Sequence, residues 1–336
     1  MSDPGTLQTR PRYLTSYEAR WAFHDAIQHP PDVVGVEDAI DLHCHAHQGQ
    51  QDPIDLARFA SRSKMGGLLY KTLDTRAKPM VKLREIQESL HRWADTEKIE
   101  PVRCWAGLVT DTWMGGPSRA TVEPQLKAGV RAVWMPTASH ANSISKVGGL
   151  PIWWGGSDNP RDVVGPMSWE EARAVGALYT LKDGRLTPEV KNVVRLCVEY
   201  DVPLFLGHVT HDEQDALAEE IQHLGFRKAV VDHPFSPFVD LTIERMKEFA
   251  QAGFFFNFTF DELSPLLGVD PREMYEAIRA VGCDRVTLSS DAGDPLFPNS
   301  VECMRLMRVY MRAFGLTPEE IEQVTILNPR HLLGLN

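Results

Sequence analysis

The sequence predicts an α/β fold, a (β/α)8 barrel of the TIM type with a long insertion after its fourth strand. Eight short and almost wholly apolar segments recur along the 336 residues, and most are followed by an amphipathic helical stretch. Continuous apolar strands that alternate with helices are typical of parallel strands buried on both faces. Eight such units over this length fit a closed barrel better than an open doubly wound sheet.

The N-terminal part of the chain precedes the first of these units. Within residues 16–28, Ala19, Phe23 and Ile27 recur at the four-residue spacing of a helix face, and Pro30-Pro31 would end that helix. We therefore expect residues 1–36 to form a lead-in helix that covers one end of the barrel.

The units that follow can be assigned in chain order. The expected strands are Ala39–His43, Gly67–Lys71, Val102–Leu108, Val130–Met135, Val202–Leu206, Ala229–Val231, Phe254–Phe258 and Arg285–Ser289. The expected helices include Val81–Trp93, Pro188–Glu199, Glu213–Leu224, Ile243–Ala252, Met274–Val281 and Val301–Phe314. A dinucleotide-binding sheet would carry a glycine-rich turn after its first strand, and His43-Cys44-His45 occupies that place instead.

Two segments of the chain are additional to what a minimal (β/α)8 barrel requires. Residues 137–186 are too long for a simple connection, and Asp183-Gly184 within them predicts a hairpin turn. We expect this insertion to lie over the barrel mouth as a lid, with a dimer contact as the alternative. Residues 317–336 should form two short helices that close the barrel. Since the chain contains no linker, repeat or low-complexity tract, a single domain over residues 1–336 is expected.

Composition limits the classes of partner. The net charge is -11, which argues against a broad surface for nucleic acid or for an anionic membrane. The five cysteines are widely separated, the N-terminus does not resemble a signal peptide, and no apolar run reaches the length of a transmembrane helix. We expect a cytoplasmic protein with reduced thiols and a small-molecule substrate, and homo-oligomerisation stays open.

Polar residues suited to metal binding stand at the predicted strand ends. Because side chains alternate along a strand, His43 and His45 point to the same side. In a parallel barrel the carboxyl ends of all strands meet at one rim, where active sites are built. That rim would also collect Lys71, His208, His233 and Asp291. Imidazole and carboxylate are ligands of divalent first-row metals, so the pattern predicts a metal site.

This ordered set of motifs resembles the amidohydrolase superfamily. The resemblance covers about residues 41–336 and includes the late Leu327-Asn328-Pro329-Arg330-His331-Leu332-Leu333-Gly334, which is similar to the Asn-Pro-x-x-x-Leu-Gly ending of many members. It implies a distorted barrel that holds one or two divalent ions and usually hydrolyses C–N, C–O or P–O bonds. Zinc is the first expectation, with manganese, iron and cobalt as alternatives.

The resemblance also implies a role for each residue. His43, His45 and Asp291 would bind the more buried metal, and His208 and His233 a second one. In one-metal members, His208 would join the first set. Asp291 would take a proton from the metal-bound water and pass it to the leaving group, with His233 as the other residue expected to act in catalysis.

The chain departs from the commonest two-metal pattern at the fourth strand. That strand ends Val133-Trp134-Met135-Pro136-Thr137, without the carboxylated lysine or glutamate that bridges the metals in those members. A lysine ends the second strand instead, as in an atypical branch of the superfamily. Lys71 would therefore either be carboxylated and bridge two metals, or stay an ammonium and bind a substrate carboxylate.

Further candidates for substrate contact carry weaker signals. Arg76 could bind an anionic group, and His140, followed by Asn142 and Ser143, could reach a substrate from the loop after the fourth strand. Trp134 could line an apolar pocket. A surface arginine, a solvated loop and a core tryptophan are the alternatives.

The expected function is a metal-dependent hydrolase of a small organic substrate. Metal-bound hydroxide would attack an amide, lactone or imide-like carbonyl, with Asp291 as general base and acid. A one-metal decarboxylase or hydratase on the same fold is the second reading. A non-catalytic metal-containing binding protein is the third.

Overall fold

Eight parallel strands form a barrel and follow one another in the order of the chain. The computed structural model describes residues 35–46, 51–73, 78–149, 164–293 and 296–335. The barrel strands are β1 (Ile40–His45), β2 (Gly67–Thr72), β3 (Arg103–Val109), β4 (Ala132–Trp134), β7 (Leu204–Phe205), β8 (Ala229–Asp232), β9 (Phe255–Thr259) and β10 (Val286–Ser289). Between β4 and β7, β5 (Leu181–Lys182) and β6 (Arg185–Leu186) form a separate antiparallel hairpin. Each barrel strand overlaps its predicted segment, and the predicted (β/α)8 barrel is confirmed.

The junction between β1 and β10 closes the barrel. The backbone N–H of Asp291 donates to the carbonyl of His43 (2.7 Å), and that of His45 donates to the carbonyl of Ala292 (2.8 Å). Next to the pair His43–Asp291, the Ser290 hydroxyl donates to Oδ2 of Asp41 (2.5 Å). Closure therefore brings the histidines of β1 beside the residues that follow β10.

Helices lie between the strands and begin where the sequence offers caps. They are α1 (Pro53–Arg62), α2 (Pro79–Glu97), α3 (Arg119–Ala128), α4 (Ala141–Val147), α5 (Trp169–Ala174), α6 (Pro188–Glu199), α7 (His211–His223), α8 (Ile243–Gln251), α9 (Phe260–Leu263), α10 (Pro271–Val281), α11 (Ser300–Phe314), α12 (Pro318–Glu322) and α13 (Asn328–Leu332). Side-chain oxygens accept first-turn N–H groups at seven of the longer helices, from Asp52, Ser118, Thr187, Thr210, Thr242, Asp270 and Asn299. All six predicted helices are present, whereas α1 and α3 were not predicted.

The C-terminal tail is helical, as expected, but its two helices are joined. A π-helical turn, Gln323–Leu327, connects α12 to α13. Asn328 begins α13 and donates from Nδ2 to the carbonyls of Cys283 (2.7 Å) and Val286 (2.6 Å). The tail is thereby attached to the start of β10.

The strands are buried on both faces, which explains their near-continuous apolar sequence. Trp134, Phe205 and Phe256 are among the largest fully buried side chains. Burying a large apolar side chain contributes roughly 1.5–3 kcal/mol, so the barrel wall carries much of the stability. The interior also holds polar side chains, and these lead to the site described below.

The insertion is helical at its start and ends in a hairpin. α4 and α5 belong to it, and the predicted hairpin is present with Asp183 (φ 52°) and Gly184 (φ 70°) at its turn. Two positive φ values are the pattern of a type I′ turn, which matches the twist of the flanking strands. The expected lead-in helix of residues 16–28 lies outside the described residues, and so does part of the insertion, residues 150–163. Within the described ranges, no helix combines the length and apolar character needed to cross a membrane.

Candidate metal centre

Three ligand-type atoms converge at the β1–β10 junction. Nε2 of His43 and Nε2 of His45 lie 3.3 Å apart, and Oδ1 of Asp291 lies 2.9 Å from the first and 3.0 Å from the second. Their placement follows from the strand period, which puts both histidines on one face, and from barrel closure, which adds the aspartate. In the described part of the chain this is the one group of three His, Cys, Asp or Glu ligand atoms close enough to share an ion.

The spacing of these atoms fits a divalent first-row metal ion. Ligand atoms about 2.1 Å from one ion stand about 3.0 Å apart in octahedral and about 3.4 Å apart in tetrahedral coordination. The observed separations of 2.9–3.3 Å match those values. Two imidazole nitrogens and one carboxylate oxygen are also the donor types that zinc, manganese, iron and cobalt accept.

Two residues of the site adopt left-handed backbone conformations. Asp291 has φ 48° and His233 has φ 34°. Non-glycine residues with positive φ are uncommon and cluster at functional sites, where surrounding contacts must hold them. The necessary contacts are present, because the Asp291 N–H donates to His43 O and the His233 N–H donates to Asn257 O (2.8 Å).

A buried polar network supports the ring of His43. Its Nδ1 atom lies 2.9 Å from Oδ2 of Asp232. Trp134 donates from Nε1 to the same oxygen (2.8 Å), and Asn257 donates from Nδ2 to the other carboxylate oxygen (2.6 Å). A carboxylate beside Nδ1 favours the tautomer that carries its proton there, which leaves the Nε2 lone pair for a metal.

His208 and His233 form a second pair beside this group. Their ring centroids are 4.9 Å apart, and His233 lies 6.0 Å from His43 by the same measure. Nδ1 of His208 lies 2.9 Å from the Ser143 hydroxyl, and Nδ1 of His233 lies 2.8 Å from the Ser236 hydroxyl. In both rings the Nδ1 atom has a protein partner, so Nε2 is the atom left for a metal or a substrate.

The electrostatics leave most of these imidazoles neutral. Burial, the largest influence, lowers the pKa of His45 to about 4 and that of His233 to about 4, and it holds the pKa of His208 well below its usual value. Metal ligands must be unprotonated, so these three rings are ready to bind at neutral pH.

The carboxylates determine the charge state of the remaining groups. Burial opposes ionisation of Asp291, but the charge of His43 and hydrogen bonds from His43 and His45 hold the pKa of this carboxyl well below its usual range. Burial alone would lower the pKa of His43, yet the carboxylates of Asp232 and Asp291 raise it to about 9. The two carboxylates are therefore anionic and hold a positive charge at the centre, carried by the His43 imidazolium without a metal and by the ion once the His43 Nε2 proton is displaced.

Lys71 lies on β2, the neighbour of β1, and is 4% exposed. A positive charge on Lys71 would influence the pKa of all four imidazoles and of Asp291, although less than burial does. The structure thus brings Lys71 within electrostatic reach of the whole site.

The remaining sequence candidates are placed differently. His140 is fully buried, its Nδ1 accepts the N–H of Asn142 (3.1 Å), and its Nε2 lies 3.2 Å from Oε1 of Glu213. Trp134 is also fully buried, with its ring stacked on Phe205. Each side chain therefore has partners within the protein, and substrate contact by either stays a prediction. Arg76 lies outside the described residues.

Several supporting residues were not identified from the sequence. Asp41 accepts the N–H groups of His43 (3.0 Å) and Ser290 (3.1 Å), and Asn257 bonds to the Asp232 carboxylate. Asn257 stands between two phenylalanines of β9, and Asp41 precedes the two histidines of β1 at the same period of two, and these patterns were the available signal. Ser143 was a candidate for substrate contact and not for supporting His208. Ser236 offered no signal, because a serine beside a loop is common.

The fold and the centre together define an α/β barrel with a His-His-Asp group at the carboxyl ends of its strands. Residues 38–257 match the model of a family described as a family of unknown function, DUF6282. The matched range spans more than half of the chain, so the protein belongs to this family. No curated protein matches its sequence.

Solved structures show the same fold. The probable dipeptidase PvdM from Pseudomonas aeruginosa gives a TM-score of 0.54 at 13% identity, over 88% of this chain and 94% of that chain. An amidohydrolase from Pseudomonas aeruginosa gives 0.56 at 12%, over 88% and 95%. The metallopeptidase named dipeptidase AC gives 0.54 at 13%, over 89% and 98%. At such identities the likeness shows the fold alone.

Proposed function

We propose that the protein is a metal-dependent hydrolase of the amidohydrolase superfamily, acting on an amide, lactone or imide-like carbonyl of a small organic substrate. The observation that carries this proposal is the convergence of His43 Nε2, His45 Nε2 and Asp291 Oδ1 at distances suited to one ion. The position of the group at the carboxyl ends of the barrel strands supports it, since barrel enzymes build their active sites there.

The ligands fall into two sets. His43, His45 and Asp291 would hold one ion, and His208 and His233 would hold a second. When bound, a divalent ion supplies a Lewis acid that polarises a carbonyl and lowers the pKa of water from about 15.7 toward 7. Zinc is the first candidate, and the same donors accept manganese, iron or cobalt.

Asp291 moves the proton in this proposal. Its carboxylate accepts a proton from the attacking water as the water oxygen bonds to the carbonyl carbon. The C–N or C–O bond then breaks, and Asp291 returns the proton to the leaving nitrogen or oxygen. His233, whose Nδ1 lies 2.8 Å from the Ser236 hydroxyl, would bind the second ion or the substrate carbonyl through Nε2.

Two chemical states of Lys71 fit its position beside the imidazoles. A carboxylated Lys71 would bridge two ions and replace the missing ligand of the fourth strand. An ammonium would bind a carboxylate of the substrate. Native mass spectrometry distinguishes them, because the carboxylated form carries the mass of carbon dioxide in native protein and loses it on denaturation.

A one-metal decarboxylase or hydratase is the second candidate. One observation favours it: the group whose ligand atoms share one site contains His43, His45 and Asp291 but neither His208 nor His233. The fourth strand also ends in Trp134, whose ring nitrogen bonds to Asp232 and offers no bridge.

The test is metal content per chain, on protein purified without chelator, followed by turnover on a panel of amides, lactones and cyclic imides. Two equivalents and metal-dependent hydrolysis support the hydrolase. One equivalent without hydrolysis supports the decarboxylase or hydratase instead. That activity is assayed with aromatic and unsaturated carboxylic acids. Protein that stays metal-free after reconstitution refutes the metal centre.

A further inference from the structure

The first helix of the insertion is bonded directly to His208. Asn142 uses both amide hydrogens, donating from Nδ2 to the carbonyl of His208 (3.0 Å) and to the carbonyl of Phe238 (2.8 Å). The next residue, Ser143, places its hydroxyl 2.9 Å from Nδ1 of His208. Both the backbone and the ring of this histidine are therefore held by α4.

Phe238 also contacts His208. Its ring stacks on the ring of His208, with centroids 4.5 Å apart and planes 30° from parallel. Because Asn142 bonds to the backbone of both residues, one amide fixes the ring of His208 between the Phe238 face and the Ser143 hydroxyl. Asn142 and Ser143 are buried, so water does not compete for these bonds.

The N-terminus of α4 is also attached to the barrel, through a contact separate from those with His208. His140 caps the helix, and its Nε2 lies 3.2 Å from Glu213 on α7. Oε1 of Glu213 also accepts the N–H of Thr180 (2.7 Å), near the end of the insertion. Both ends of the insertion therefore meet at one buried carboxylate, which limits the positions that α4 can take.

We infer that Asn142 and Ser143 are positioning residues that prepare His208 for metal binding, so the insertion forms part of the metal centre rather than only a cover. This inference rests on the metal-dependent function proposed above. On this inference Nδ1–H of His208 donates a hydrogen bond to the Ser143 hydroxyl, and Nε2 keeps its lone pair for the metal. Partners of this kind fix the tautomer and orientation of a ligating imidazole, and their loss commonly weakens metal affinity about 10- to 100-fold.

The first measurement is the tautomer of His208 in metal-free protein with ¹⁵N-labelled histidine. Long-range ¹H–¹⁵N spectra separate rings protonated at Nδ1 from rings protonated at Nε2, and the signal missing from the His208→Gln protein assigns His208. We expect Nδ1–H in the wild type and a mixed population in Ser143→Ala. A proton on Nε2 of wild-type His208 would overturn the inference, even if Ser143→Ala did not fold.

The second measurement is metal affinity, by competition with a chromophoric chelator for zinc. Ser143→Ala and Asn142→Ala should bind zinc about 10- to 100-fold more weakly than the wild type. Ser145→Ala is the matched control, because its hydroxyl lies on the same helix and donates to the backbone carbonyl of Asn142 (2.9 Å) rather than to His208. Circular dichroism verifies that each variant is folded.

The outcomes separate this inference from the proposed function. Zinc affinity within twofold of the wild type for Ser143→Ala, with an unchanged tautomer, refutes the positioning role and leaves the hydrolase intact. A wild type that binds none of zinc, manganese, iron and cobalt refutes the proposed function, while the tautomer spectra still decide whether Ser143 orients His208.

Discussion

Asp291 is the residue on which both metal binding and proton transfer depend in the proposed reaction. It lies two residues after β10, with a left-handed backbone and with its carboxylate in contact with the imidazoles of His43 and His45. Asparagine tolerates the same backbone conformation, so Asp291→Asn removes the charge and the proton acceptor without straining the chain.

We expect Asp291→Asn to fold and to lose turnover by about 10²–10⁴-fold, the usual contribution of a positioned general base. Steady-state kinetics and unfolding in urea measure the two effects. Asp240→Asn is the control, because Asp240 is an exposed aspartate with a similar φ of 44° and lies outside the site. Unchanged turnover in Asp291→Asn would contradict its assigned role.

Gly207 makes room for the ring of His233. A Cβ atom at this position would stand 2.8 Å from Nε2 and Cε1 of His233 and 2.8 Å from Cβ of Asp232. Real Cβ atoms do not approach other atoms so closely, so the imidazole or the strand must move.

Gly207→Ala should therefore weaken zinc binding and lower the free energy of unfolding by about 1–3 kcal/mol, the usual cost of overpacking. Chelator competition and urea unfolding test this. Gly165→Ala is the control, because a Cβ atom there meets nothing within 4 Å. Equal zinc affinity in both variants would show that His233 is not positioned by the space at Gly207.

At the scale of the element, the insertion depends on the buried carboxylate of Glu213 on α7. Burial opposes its ionisation, but His140 and hydrogen bonds from the backbone of Thr210 and Thr180 lower its pKa to about 2, against an ordinary value of 4.5. A folded-state pKa below the unfolded one contributes stability that is complete above pH 4.5 and is lost as the pH falls toward 2.

We therefore expect Glu213→Gln to cost about 3 kcal/mol near pH 7, since each pKa unit is worth about 1.4 kcal/mol. The difference from the wild type should shrink as the pH falls from 4.5 toward 2. Urea unfolding across this range measures it, with the exposed Glu219→Gln on the same helix as control. A difference that stays constant with pH would exclude an ionised Glu213.

At the scale of the whole molecule, metal binding should couple to folding. The centre exists only when β1 and β10 are joined, so the ion binds the native state and stabilises it. At a free metal concentration 100 times Kd, this contribution is about 2.7 kcal/mol.

We expect zinc to raise the melting temperature of chelator-stripped wild type and to have little effect on His45→Ala. His223→Ala is the matched control, because this exposed histidine lies on α7 away from the barrel mouth and should keep the full zinc response. Calorimetry at several zinc concentrations measures it. An equal rise in His45→Ala would place the stabilising ion elsewhere.

The pattern of the chain determined much of this architecture. Eight apolar segments of strand length, separated by helical periods, predicted every barrel strand within a few residues. The period of two in β1 placed His43 and His45 on one face, and the turn chemistry of Asp183-Gly184 predicted the hairpin. These features depend on neighbouring residues, so local stereochemistry is sufficient to predict them.

Only the tertiary structure decided which atoms meet. Asp41 bonds to Ser290, which lies 249 residues later in the chain. Trp134 bonds to Asp232, and Ser143 bonds to His208. The buried partners of His140 and Trp134, Glu213 and Asp232, are likewise known only from the tertiary structure. Such contacts follow from barrel closure and from the path of the insertion, which bring together residues that no local periodicity relates.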